Sequence, residues 1–176
     1  MKMRKKIINF LLKFNKLCVN LPEESMNLII SIHPQYAQSI LDGSKRYEYR
    51  KMIPIRNDID RVYIYATKPI QAIIGEFTLD GIISDTPQKV WDITARHGGI
   101  TEAFFNDYFK SRNKAYALKV GDVIKYDVPI DPKEVITDFT PPQNFMYEKN
   151  GLEIIKSIDE KNEGCSGQDS VLHEYL

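Results

Sequence analysis

The chain has 176 residues, 43% hydrophobic and 27% charged, and its 24 Lys and Arg balance 24 Asp and Glu. These are globular values for one domain with a full core, so they exclude a largely disordered chain and a chain-wide basic surface. Any nucleic-acid interface must be a local patch.

Residues 1–25 form a basic, partly amphipathic segment in which Lys2, Arg4, Lys5, Lys6, Lys13 and Lys16 interleave with Ile7, Ile8, Phe10, Leu11, Leu12, Phe14 and Leu17. One reading is a surface helix making weak contact with anionic lipid or nucleic acid. The other is an appended helix, with Met26 as the functional start. Lys13 interrupts the apolar run, which argues against a signal peptide.

Leu28 to Ile32 reads as a short apolar strand. Pro34 suits the first turn of a helix, Tyr36, Ala37, Ile40 and Leu41 share one helical face, and Gly43 stands where a helix-terminating glycine belongs. Next comes the charged octet Gly43-Ser-Lys-Arg-Tyr-Glu-Tyr-Arg50. Side chains alternate on a strand, so Arg46, Glu48 and Arg50 share one face, opposite Tyr47 and Tyr49, with Lys45 at the mouth of the turn. The plain reading is a solvated strand face whose surface ion pairs are each worth under about 1 kcal/mol.

Arg61 to Thr67 is a strand rich in β-branched and aromatic residues, closed by Lys68-Pro69. Ile70 to Asp80 is the next strand, with Gly75 marking a bulge or a close approach, and Gly81 to Ser84 continues it after a bend. Thr86-Pro87 opens a helix that ends at His97-Gly-Gly99, and Thr101 caps a second. In that second helix Phe104, Phe105, Tyr108 and Phe109 form an aromatic stripe, read as core. Ala115 to Val120 and Val123 to Val128 read as a hairpin around Gly121-Asp122. Phe139 to Tyr147 is extended and laid over the sheet, and a polar tail follows.

Short helices inserted among strands, without strand–helix–strand alternation, predict an α+β fold: a small, mostly antiparallel β-barrel with flanking short helices. The expected organisation is an N-terminal extension (1–25), a domain (26–148) and a C-terminal tail (149–176). Cys18 and Cys165 lie near opposite ends without zinc-ligand spacing, so neither a disulfide framework nor a metal site is expected, and the cytoplasm is the expected compartment. No apolar run approaches the roughly 18 residues of a membrane span.

Gly43, Lys45, Glu48 and Arg50 fill the G-x-K-x-x-E-x-R signature of the ASCH domain family, a branch of the PUA-like superfold that this chain resembles. Ile29 to Ala37 is similar to the family's first strand and helix, and Val62 to Thr67 with Gly75-Glu76-Phe77 to its third and fourth strands. The Pro141 to Phe145 segment resembles a subgroup labelled predicted transcriptional regulators. The resemblance covers roughly residues 27–147. It implies a cleft between the barrel and the first helix, lined by the signature residues. It also implies RNA binding, with some members acting as ribonucleases or as amidohydrolases on acylated cytidine-type nucleosides.

On that basis the candidate ligand-binding residues are Lys45, Glu48, Arg50, His33, Thr67 and Lys68. As an RNA or nucleotide reader, the cations meet phosphate, Glu48 accepts from a base, and His33 or a tyrosine stacks. As a hydrolase, Lys45 and Glu48 are the catalytic candidates, and His33 or His97 is the acid or base of a ribonuclease. The amidohydrolase pattern departs here: Glu48 replaces its threonine, and residues 94–99 carry no carboxylate, leaving Glu76 as the substitute. A third reading is a protein-interaction adaptor. No cofactor is expected.

Overall fold

The computed structural model describes residues 26–54, 56 and 58–148. The expectations for residues 1–25 and 149–176 lie outside the described residues. Among the described residues six strands form one sheet in the order β2-β5-β4-β3-β1-β6. Strand β1 (Met26–Ile32) leads into helix α1 (Pro34–Leu41), and then to β2 (Tyr47–Arg50) and β3 (Ile59–Ala66). Strand β4 (Ala72–Asp85) is followed by α2 (Pro87–Thr94), a 3-10 turn (Ala95–His97) and α3 (Glu102–Tyr108). Strand β5 (Ala115–Ile130), the short α4 (Pro132–Val135) and β6 (Phe145–Glu148) complete the order.

β1 and β3 pair in parallel, and every other pairing is antiparallel. A parallel pair needs a long crossover, and α1 with β2 supplies it. β1 is covered on both faces, which explains its continuous apolar run. Leu28, Ile30 and Ile32 join Ala37 and Ile40 of α1 in one core cluster. Ile29 faces the opposite way, among Tyr63, Tyr65, Ile73, Ile130 and Phe139. A third cluster joins Tyr49 of β2 to Val90, Phe105, Phe109, Ala115 and Ala117.

The mostly antiparallel sheet with short flanking helices is the expected α+β fold; among the described residues hydrogen bonds do not close it, and β2 and β6 remain its two edges. The structure corrects two expectations. The expected hairpin at Gly121-Asp122 is one continuous strand, β5, which pairs with β4 through register shifts. A Cβ at Gly121 would lie 2.1 Å from Asp80 Oδ1 and 2.4 Å from Thr78 Oγ1, so the glycine permits close strand approach instead of a turn. The segment laid over the sheet is partly a strand of it: β6 pairs with β1, with Ile30 opposite Phe145.

Candidate functional site: a buried charged floor under an aromatic wall

The turn after α1 sets the site. Gly43 ends the helix at φ 78°. The Lys45 amide then donates to Ser39 O (2.8 Å), and the Arg46 amide donates to His97 O (2.8 Å). These bonds hold Lys45 between α1 and the turn after α2. Its side chain is 1% exposed. Nζ donates to Gly98 O at 2.6 Å and lies 3.5 Å from Glu48 Oε2. It also sits 4.8 Å from the Tyr49 ring centroid and 5.8 Å from that of Tyr36. Burial pulls the Lys45 ammonium below the ordinary lysine value, while the Glu48 carboxylate opposes that fall.

Glu48 and Arg50 occupy alternate positions of β2 and therefore one face. Glu48 Oε1 is 3.0 Å from Arg50 Nη2. The guanidinium also donates to Ser31 O on β1 (2.9 Å) and to Asn144 O just ahead of β6 (3.1 Å). Arg50 thus links the two open edges of the sheet. Its Nε is buried and makes no hydrogen bond among the described residues. Two cations against one carboxylate leave this floor with a net positive charge.

These residues line a cleft of about 250 Å³ between the sheet and α1. Its wall is a row of rings. His33 and Tyr36 have centroids 6.0 Å apart, Tyr36 and Phe104 5.9 Å, and Phe104 and Tyr108 6.5 Å with planes only 6° apart. His33 is the N-cap of α1, and its Nδ1 accepts from the Gln35 amide at 3.4 Å.

The structure brings Lys45, Glu48, Arg50 and His33 together in the cleft. Thr67 and Lys68 lie in the turn after β3 and are not among its lining residues, although the Thr67 amide bonds Ile32 O. The solvated-face reading of the octet is corrected: Lys45, Glu48 and Arg50 are all buried, and of its charged members Arg46 is the exposed one. His97 is exposed and does not line the cleft. Glu76 does not line it either. It is buried in a separate group, paired with Arg61 and accepting from Tyr126 Oη at 2.5 Å, and burial beside it raises the Tyr126 phenol.

Sequence reasoning missed Phe104 and Tyr108 by assigning the whole aromatic stripe to the core. Phe105 and Phe109 do pack inside. Phe104 and Tyr108, one step around the helix, face the cleft. The i, i+4 spacing within the stripe was the available signal. Among the described residues no helix is long and apolar enough to cross a membrane.

Comparison with known proteins agrees with this architecture. A model of the ASCH domain matches residues 30–125, a span that includes all four signature positions. The ASCH domain-containing ribonuclease of Zymomonas mobilis subsp. mobilis is 32% identical over 125 residues, 68% of this chain and 82% of the relative. The crystal structure of ASCH from Zymomonas mobilis matches with TM-score 0.70 at 28% identity, covering 76% of this chain and 96% of that one. The large ribosomal subunit protein uL22 of Ureaplasma parvum is 30% identical over 129 residues; this chain spans 72% of itself but only 40% of that protein. The chain belongs to the ASCH domain family.

Proposed function

We propose that the cleft binds one unit of single-stranded RNA, or a single nucleotide, with the base against the aromatic wall and its polar edge on the charged floor. The observation that carries this reading is the floor itself: a buried, net-positive trio with an unbonded Arg50 Nε beneath a row of rings. Glu48, whose oxygens retain lone pairs, accepts from a base N–H, and Arg50 holds that carboxylate in place through Nη2. Tyr36, Phe104 and Tyr108 offer stacking faces, as single-stranded RNA recognition requires. A cleft of about 250 Å³ lies just below the usual range for ligand sites, roughly 300–1,000 Å³, which suits a nucleoside and not a duplex. Lys45 and Arg50 are too buried to clamp an extended phosphate backbone, so here they shape and charge the floor. Thr67 and Lys68 lie beyond it and are available to flanking phosphates.

RNA cleavage at the same cleft is the second reading. The ribonuclease relative favours it. Lys45 is committed to Gly98 O, and Glu48 to two cations, so the proton carrier in that reading is His33 at the rim. Binding without turnover would suit a regulatory protein of the cytoplasm.

Titration with short single-stranded RNA at two salt concentrations, with products monitored, tests both readings. Salt-dependent binding that is lost in Arg50→Ala supports the site. Turnover lost in His33→Ala adds the ribonuclease. A folded protein that neither binds nor cleaves refutes both and favours the adaptor.

A further inference from the structure

A second depression, of about 450 Å³, borders the cleft. Tyr36, Ile100 and Phe104 are common to both, so the same rings are the wall of one and the flank of the other. Gln35, Arg96 and Thr101 line the far side. Phe104 is 48% exposed, unusual for a large apolar ring whose helix neighbours Phe105 and Phe109 are buried. Arg96 is exposed, and its side chain makes no hydrogen bond or ion pair among the described residues. No acidic side chain among the described residues lines this depression.

A third depression lies on the other side of Lys45 and also carries cations, Arg46 and Lys119. Asp80 and Asp122 line it too, and Lys119 is paired with Asp80 at 3.7 Å. An anionic strand leaving the cleft therefore meets a cation and an exposed ring, with no carboxylate, on one side, and cations partly offset by two carboxylates on the other. The first route offers both a charge and a stacking face.

We propose that the depression between α1, Arg96 and Phe104 is a second nucleotide subsite. The base next to the one in the cleft stacks on the outer side of the Tyr36–Phe104 pair, and the phosphate joining them lies against Arg96. Stacking is sequence-tolerant, because every base has a π-face, so this subsite adds affinity and little base preference. The inference rests on the proposed RNA reading of the cleft and extends it by one residue of the strand.

The test compares binding of the four nucleoside 5′-monophosphates with that of dinucleotides built from whichever binds, by calorimetry at two salt concentrations, in the parent and in Arg96→Ala. The dinucleotide is expected to bind about 5- to 150-fold more tightly than the mononucleotide, the range of one base–aromatic stack. Arg96→Ala is expected to leave the mononucleotide affinity in place, to remove much of the dinucleotide gain, and to lower the salt slope by about 0.7. A mononucleotide that binds with no gain for the dinucleotide overturns the second subsite and leaves the cleft reading standing. So does a gain that is unchanged, at unchanged salt slope, in Arg96→Ala. A folded protein that binds neither ligand overturns the cleft reading and the subsite with it.

Discussion

Replacing Glu48 with glutamine tests whether the floor of the cleft is one electrostatic unit. The carboxylate lies 3.0 Å from Arg50 Nη2 and 3.5 Å from Lys45 Nζ. At an effective dielectric constant of about 20, each attraction is about 5 kcal/mol before desolvation is set against it. Glutamine keeps the volume and removes the charge. Lys45 and Arg50, 1% and 7% exposed, then remain as two buried cations with no anion. Breaking a buried pair from one side costs about 3–5 kcal/mol, or on the order of 10–15 °C in Tm for a domain of this size.

The pH dependence supplies a second readout. Burial holds folded Lys45 below the ordinary lysine value, about 10.4. Between the lowered and ordinary values the unfolded chain binds more protons than the folded one, so stability rises with pH across that window and is lost as pH falls through the folded value. Glu48 resists the lowering. Glu48→Gln removes that resistance, drives Lys45 further down and extends the window toward neutrality. The variant therefore regains stability more steeply than the parent as pH rises from neutral to mildly alkaline. Thermal melts of both proteins across that range are the assay. A variant that melts with the parent and follows the same pH course refutes the unit.

Two further substitutions separate charge from geometry and core from wall. Arg50→Lys keeps the cation but cannot reach Ser31 O, Asn144 O and Glu48 together. An abandoned carbonyl costs about 1–3 kcal/mol, and urea unfolding should show that loss along with weakened RNA binding; unchanged values in both would mean that charge alone suffices. Phe105→Ala should cost about 3–5 kcal/mol of stability as a core truncation. Phe104→Ala should cost about 0.5 kcal/mol or less and yet weaken RNA binding by about 1–3 kcal/mol. Equal melting losses in the two variants would sink the division of the stripe.

Some of this molecule is written locally in its sequence. β1 and the Val62–Ala66 part of β3 are buried on both faces and read as apolar runs. α1 is bracketed by Pro34 and Gly43, and alternation in the octet placed Glu48 and Arg50 on one face. β5 was not legible, because Gly121-Asp122 has local turn chemistry and its actual role is set by Thr78 and Asp80 of β4. β6 was not legible either: it is a four-residue edge strand, too short for period or punctuation to distinguish it from an overlying loop. In α3 the spacing located a stripe but not where core ends and cleft begins, because that border is drawn by Tyr36 and Tyr49 from other elements.

The charged octet shows most sharply what such patterns omit. Its alternation tells which side chains can meet, but not whether water reaches them. Exposed, the same ion pairs would be worth about 0–1 kcal/mol each; buried, loss of one partner costs about 3–5 kcal/mol. What decides between these regimes comes from far along the chain: Gly98, 53 positions from Lys45, and Asn144, 94 positions from Arg50. Those distant carbonyls satisfy the cations without neutralising them. A buried floor that is still net positive results, and this is what distinguishes it from a surface strand carrying the same residues.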